Sequence, residues 1–214
     1  MKRSALDRLV SWIGLALAAV LLVAGGLLAY ASSFISGQVY EQLASQKITM
    51  PTKEAFGSLP AENQAALAPF AGQLMTNGAQ AQAFANYYIL AHMNAASGGK
   101  TYEEVSGEYM AMSKDTSANA DELAKLGALR QTLFMGNTLR GMLLNAYAFG
   151  TMATVAMIAS IAAFVGAIAL AVLGFLGLRH ARTATGEVFV SDADPQAAAA
   201  HHAAETKGSL ATEL

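Results

Sequence analysis

Histidine is the natural place to look for chemistry in this chain, because cysteine is absent and only His92, His180, His201 and His202 offer imidazole nitrogens. Two imidazoles and a carboxylate form a common ligand set for non-haem iron. The apolar segments described below, however, place His92 on one side of a membrane and the other three histidines on the opposite side. They therefore cannot form one site within a chain. His92 stands in the last turns of a helix, where the helix dipole favours an imidazolium; a structural or capping role comes first for it, ahead of partner contact and ligation. His201 and His202 lie in a solvated tail and would take up only adventitious metal. Glu103 and Glu104 invite an acid–base reading, but adjacent helical residues point about 100° apart, and capping already explains Glu104. Gly98-Gly99-Lys100-Thr101 has the ending of a phosphate-binding loop without its first glycine or its preceding apolar strand. No G-x-S-x-G elbow is present. The lack of cysteine also excludes a disulfide framework, a thiolate nucleophile and a cysteine-ligated cluster. No catalytic residue, metal ligand set or cofactor site is expected, and the reading favours a non-catalytic protein over an enzyme.

The elements that carry these residues are dominated by two apolar runs. Hydrophobic residues make up 54% of the 214 residues and charged residues only 13%, with a mean hydropathy of +0.37; the charged share is about half that of a soluble protein. The net charge of -2 argues against a nucleic-acid partner, which wants a basic stripe. Gly141 to Leu178 contains no charged residue and no histidine, about 38 residues where a membrane span needs ~20. Leu9 to Ala31 is a second run long enough to span, with Trp12 and Tyr30 near its ends as interfacial aromatics. A cleaved signal peptide competes for this first run, since Ala29-Tyr30-Ala31 fits the cleavage pattern, but the apolar core exceeds the usual 7–15 residues. Lys2, Arg3 and Arg8 before the first span, and Arg179 and Arg182 after the second, outweigh Lys47, Arg130 and Arg140 between them. The positive-inside rule then predicts a multi-pass protein of the cell (plasma) membrane with both termini cytoplasmic.

The predicted architecture is an all-α membrane protein: residues 1–8 as a cytoplasmic N-terminus, 9–31 as the first transmembrane helix, 32–140 as a small helical extracytoplasmic domain, 141–178 as a long helix including the second transmembrane helix, and 179–214 as a disordered cytoplasmic tail. Residues 32–47 extend the first helix or form a stalk. Pro51, Gly57 and Pro60 mark an irregular connection, Pro60 suits the first position of a short helix, and Pro69 interrupts it. Residues 79–97 read as a buried helix with Phe84, Tyr88 and Ala91 on one stripe, stopped by Gly98-Gly99. Thr101 and Glu104 form a capping box for the next helix, which carries Val105, Tyr109 and Met112 on one face. Asp121-Glu122 open a further helix, and Gly136-Asn137-Thr138 is expected to be a joint leading into the second span.

The spans carry an interaction signal. Ala159, Ala163, Ala167 and Ala171 recur every fourth residue, with Ala156, Ser160, Gly166 and Gly174 beside them, and such small-residue ridges allow close backbone approach where no hydrophobic effect drives association. Gly14, Ala18, Gly25, Gly26 and Ala29 offer the same in the first span. Packing is expected either between the two spans or against another subunit. His92, Arg140, Asn145 and Tyr147 are the candidate partner contacts on the outward side. Neither span holds an ionisable residue, which argues against an ion pathway.

Gln46-Lys47-Ile48-Thr49, Ala83…Ile89…His92, Gly98 to Val105 (GGKTYEEV) and Leu139 to Gly150 (LRGMLLNAYAFG) occur in this order in a family of small actinobacterial two-span membrane proteins of unknown function, which the chain resembles over roughly residues 1–180. Members are often labelled as the small LigA-type subunit of an aromatic ring-opening dioxygenase. Such a subunit is a soluble helical protein, and a chain built on two spans does not fit that label. The resemblance therefore implies the topology and no activity. The expected function is that of a non-catalytic integral membrane accessory or assembly subunit packing against a larger membrane complex, a respiratory complex being one candidate. Its partners would be membrane lipid, other integral membrane subunits or a second copy of itself. The rival readings are a dioxygenase small subunit and a membrane sensor with an outward ligand domain.

Overall fold

Helix α1 (Arg3–Ser45) opens the computed structural model, which describes residues 3–183. It carries the first apolar run and continues without a break through Ser32 to Ser45, so of the two expectations for residues 32–47 the extension of the helix is the one found. Short elements follow: α2 (Ala61–Leu67), a 3-10 turn (Ala68–Phe70), α3 (Gly78–Ala83), a π-helical segment (Phe84–Ile89), α4 (Leu90–Ser97) and α5 (Tyr102–Met112). Helix α6 (Ala120–Thr183) closes the described chain. Among the described residues 82% are helical and there is no strand; a single antiparallel bridge joins Thr49 to Leu74.

Both α1 and α6 are long and apolar enough to cross a membrane. Only 11% of the most apolar stretch of each is buried. A core helix of a soluble protein would bury most of that stretch, and neither of these does.

The chain divides into two compact units, one formed by Met1–Leu22 with Phe164–Leu214 and the other by Val23–Ala163. The second unit holds the main core, where Met50, Leu67, Met75 and Ala81 are almost wholly excluded from solvent and pack with Val39 and Leu43 of α1 and Leu143 of α6. A smaller cluster of Met93, Val105 and Leu133 ties α4 and α5 to α6.

Local chemistry explains the short elements. Pro60 is the cap residue before α2 rather than its first helical residue, as its extended ψ of 149° shows. Pro69 sits in the 3-10 turn that ends α2, where its missing N–H costs nothing. Gly98, with φ of 64°, closes α4 in the left-handed conformation that glycine adopts without strain. The capping box on α5 is present with both bonds: the Glu104 N–H donates to Thr101 Oγ1, and the Thr101 N–H donates to Glu104 Oε2 at 2.7 Å.

A further expectation fails. Gly136-Asn137-Thr138 is no joint, because α6 runs unbroken from Ala120. The glycine serves packing instead: a Cβ at position 136 would meet Met93 Sδ at 2.5 Å. Thr138 returns its hydroxyl to the Phe134 carbonyl and so stays helical. The boundary expected at residues 140–141 is therefore interior to one helix. The tail beyond Thr183, with His201 and His202, lies outside the described residues.

Candidate functional site

Two surfaces are candidates for function, the paired face of α1 and α6 and the helical head built on α2 to α5. In the first unit the pairing is antiparallel and very close. A Cβ on Gly174 would lie 2.9 Å from Leu15 Cγ and 3.2 Å from the Ser11 carbonyl, and one on Gly177 would collide with Ser11 Oγ. Ala18 and Ala167 are buried here, and Gly166 faces Leu21.

In the second unit the same two helices are joined by reciprocal hydrogen bonds. Ser32 Oγ donates to the Ala153 carbonyl and Ser160 Oγ donates to the Gly25 carbonyl, each at 2.8 Å and buried. Serine is small enough to permit the approach, and its hydroxyl finds an acceptor on the facing backbone. In an apolar solvent such a bond contributes about 0.6 kcal/mol on average.

Buried positions recur every seventh residue on each helix: Ser11, Ala18, Gly25, Ser32 and Val39 on α1, and Ala153, Ser160, Ala167, Gly174 and Ala181 on α6. The period of four in Ala159, Ala163, Ala167 and Ala171 advances about 40° per step around a helix, whereas seven residues drift by only ~20°. Accordingly Ala167 and Gly174 are buried, Ala163, Gly166 and Ala171 are half-buried, and Ala159 is exposed. Ser160 was legible beside the alanine ridge, whereas Ser32 was missed because it belongs to no every-fourth pattern. The signal was present at period seven.

The head is organised around the π segment. Widening a helical turn leaves carbonyls without their usual i+4 donors. Ala85 O accepts both the Leu90 N–H and, at 3.0 Å, Arg140 Nε. Arg140 Nη2 also donates to Asn86 Oδ1 at 3.2 Å, and Asn63 Nδ2 donates to the Tyr87 carbonyl at 2.7 Å. Arg140 is thus committed within the fold.

Of the other residues singled out for partner contact, His92 is exposed, with Nδ1 2.8 Å from the Tyr88 carbonyl and its ring 4.4 Å from that of Tyr88. Phe84 stacks on Tyr88 in turn, at 5.2 Å. Asn145 is exposed, and Tyr147 is half-buried with its backbone under Gly78. The structure does not bring these four together.

On the far side of the head, Tyr109 of α5 enters a notch at Gly127, and the Arg130 guanidinium lies 4.8 Å above its ring. A hydrogen bond from the same arginine lowers the pKa of the Tyr102 hydroxyl. The backbone and hydroxyl of Thr101 hold the Glu104 carboxyl below its ordinary value. Both shifts are those of structural pairs at a solvated surface. Lys100 and Glu108 form an exposed ion pair of the same kind.

Clefts open in the second unit. One of about 310 Å³ runs between Asn77, Gly78, Tyr147 and Thr151. One of about 450 Å³ lies between the end of α1 and residues 139–149 of α6. One of about 520 Å³ is bounded by Glu62, Asn63, Asn86 and Asn94 beside the π segment. Among the described residues no group of three or more His, Asp or Glu side chains is gathered closely enough to hold a metal ion. No protein-family model matches the chain, and no curated protein and no solved structure is similar to it.

Proposed function

We propose that this chain is a non-catalytic integral membrane subunit that acts by packing against other membrane proteins, as an accessory or assembly factor of a larger complex. One observation carries the reading. Even with α1 and α6 paired, large apolar side chains remain exposed on both, among them Val20 and Leu27 on α1 and Ile158, Val165 and Leu173 on α6. Two helices bury one narrow seam and leave the rest of each surface for lipid or a further helix. The capped helical head adds a rigid body with no reactive constellation. The resemblance to actinobacterial two-span proteins supports the same topology, with both termini cytoplasmic and the head outside.

The same contacts support retention of the first span. Cleavage after Ala31 would remove Gly25, the acceptor for Ser160, and would leave Ser32 at a free end. The intact mass of the native protein should therefore include residues 1–31.

Topology is read directly, because the chain has no cysteine of its own. In intact cells a membrane-impermeant maleimide should label Thr52→Cys, and should label Ser209→Cys only after permeabilisation. Crosslinking in intact cells followed by affinity purification and mass spectrometry tests the function. Recurrent capture of the same integral membrane subunits is the expected result. A protein that purifies alone after crosslinking, or one that purifies with iron and supports ring opening, overturns the reading.

A further inference from the structure

The cleft between α2 and the wall formed by the π segment and α4 holds two side-chain amides whose orientation the fold decides. Asn63 Nδ2 donates to the Tyr87 carbonyl at 2.7 Å. A carbonyl only accepts, so the atom facing it must be nitrogen, and Oδ1 is the end left over. Asn86 is the reverse case. Its Oδ1 accepts from Arg140 Nη2 at 3.2 Å, and a guanidinium only donates, so Nδ2 is the end left over. Among the described residues no hydrogen bond uses Asn63 Oδ1 or Asn86 Nδ2, and neither atom is sealed from solvent. Both residues are half-buried and both line the cleft. One acceptor and one donor are thus presented there, each locked in polarity by a bond to the fold.

The rest of the lining narrows what can pair with them. Glu62 is the one charged side chain among the described residues that line the cleft, so an anionic ligand finds no counter-charge. An apolar chain laid over the cleft would leave both amide ends unpaired, a loss of roughly tenfold in affinity for each. A helix has the same defect, because its backbone groups are already bonded to one another. An extended peptide does not, since its N–H and C=O groups are free along each edge. A sugar hydroxyl both donates and accepts, so locked polarity selects nothing in it; the polarity of a peptide group is as fixed as that of the two amides.

Length agrees with this occupant. Asn86, Leu90 and Asn94 stand on successive turns of one wall, about 12 Å from first to last. An extended chain advances ~3.3 Å per residue, so three or four residues cover that distance. Between the two asparagines, Ala91 and Ala95 keep the wall low. The near end is made by the π segment, a rare geometry that recurs at functional sites, which turns the Ala85 carbonyl and the Asn86 amide toward Arg140.

We propose that the cleft between α2 and the π segment with α4 binds an extended, uncharged peptide segment through its backbone, one N–H donating to Asn63 Oδ1 and one C=O accepting from Asn86 Nδ2. This stands whether or not α1 and α6 cross a membrane.

The full chain, isotope-labelled in detergent micelles, is titrated with the capped peptide acetyl-TVTV-amide, whose β-branched residues favour an extended backbone. The side-chain amide signal of Asn86 and the backbone signals of Ala91 and Ala95 should shift with a Kd on the order of 1 mM. The same peptide methylated at every backbone nitrogen keeps its carbonyls and side chains but no backbone donor, and should bind about tenfold more weakly. Asn86→Asp keeps the acceptor for Arg140 and replaces the free donor with a second acceptor; it should weaken the unmethylated peptide about tenfold with the melting temperature of the head unchanged. Should that variant melt early, the two peptides compared on the unaltered protein decide the matter. Absence of any shift up to ~10 mM peptide overturns the proposal. Equal binding of the methylated peptide also overturns it, by reducing the contact to apolar surface. Shifts produced by maltotriose or chitotriose and not by the peptide overturn it and assign the cleft to a sugar.

Discussion

The seam between α1 and α6 and the core of the head solve the same packing problem with opposite residues. The seam uses Ser, Ala and Gly at every seventh position from Ser11 to Ser32 and from Ala153 to Ala181, and adds two buried serine–carbonyl bonds. The head uses Met50, Phe56, Leu67 and Met75, closed by caps and by the Arg140 and Asn63 bonds to the π segment. On the membrane reading proposed above, solvent is the difference. In water, burying a large apolar side chain is favourable by about 1.5–3 kcal/mol, so the head gains from bulk. Between helices in lipid that gain vanishes, and closeness of backbones takes its place.

Breaking the head should have the larger effect. A Cβ at Gly78 would sit 2.9 Å from Tyr147 Cα and 3.0 Å from the Ala146 carbonyl, both backbone atoms that cannot turn aside. Gly78→Val is therefore expected to cost about 3 kcal/mol, the upper end for overpacking, visible as a lowered melting temperature of the head in detergent. Gly141→Ala, with nothing within 4 Å, should not lower it and should raise it slightly, since alanine is favoured over glycine in a helix interior by ~1 kcal/mol.

In the seam, Gly174→Leu meets Leu15 and the Ser11 carbonyl. About 2 kcal/mol of helix pairing should be lost, read as increased separation between spin labels on α1 and α6. Gly26→Leu has open space and should leave that distance as it is, so equal effects at the two glycines would refute the seam.

The serine pair is a finer probe. Ser32→Ala with Ser160→Ala should cost roughly 1 kcal/mol together, with no change in the head's melting temperature. A head that melts early in this variant would mean that the two regions are not energetically separate.

The smallest effect concerns pH and the head alone. Because the Glu104 carboxyl is held below its ordinary value of 4.5 by Thr101, its stabilisation of α5 is complete above that value and is lost as pH falls through the lowered one. Amide exchange in the first turn of α5 should rise on acidification in that window, and Glu104→Gln should flatten the response.

Much of this was legible in the sequence for local reasons. The capping box at Thr101 and the stop at Gly98 depend on a few neighbouring residues, and the two apolar runs on length and charge alone. Gly136 shows the limit: glycine beside Asn137 and Thr138 has the local chemistry of a joint, but Met93 packs against it and the helix continues. The π segment was equally invisible, since Phe84–Ile89 has ordinary helical composition and its carbonyls find Arg140 and Asn63 from distant parts of the chain.

The sequence by itself determined that this protein is helical, where its two long apolar segments lie and which ends its short helices use, because each follows from hydrophobic length, charge or contacts within one turn. Only the tertiary structure decided which small residues form the seam, what Arg140 is for and where a crevice opens. Those depend on how two helices far apart in the chain are rotated and set against each other. A ridge every fourth residue and a seam every seventh are both written in the same alanines and glycines, and packing chooses between them.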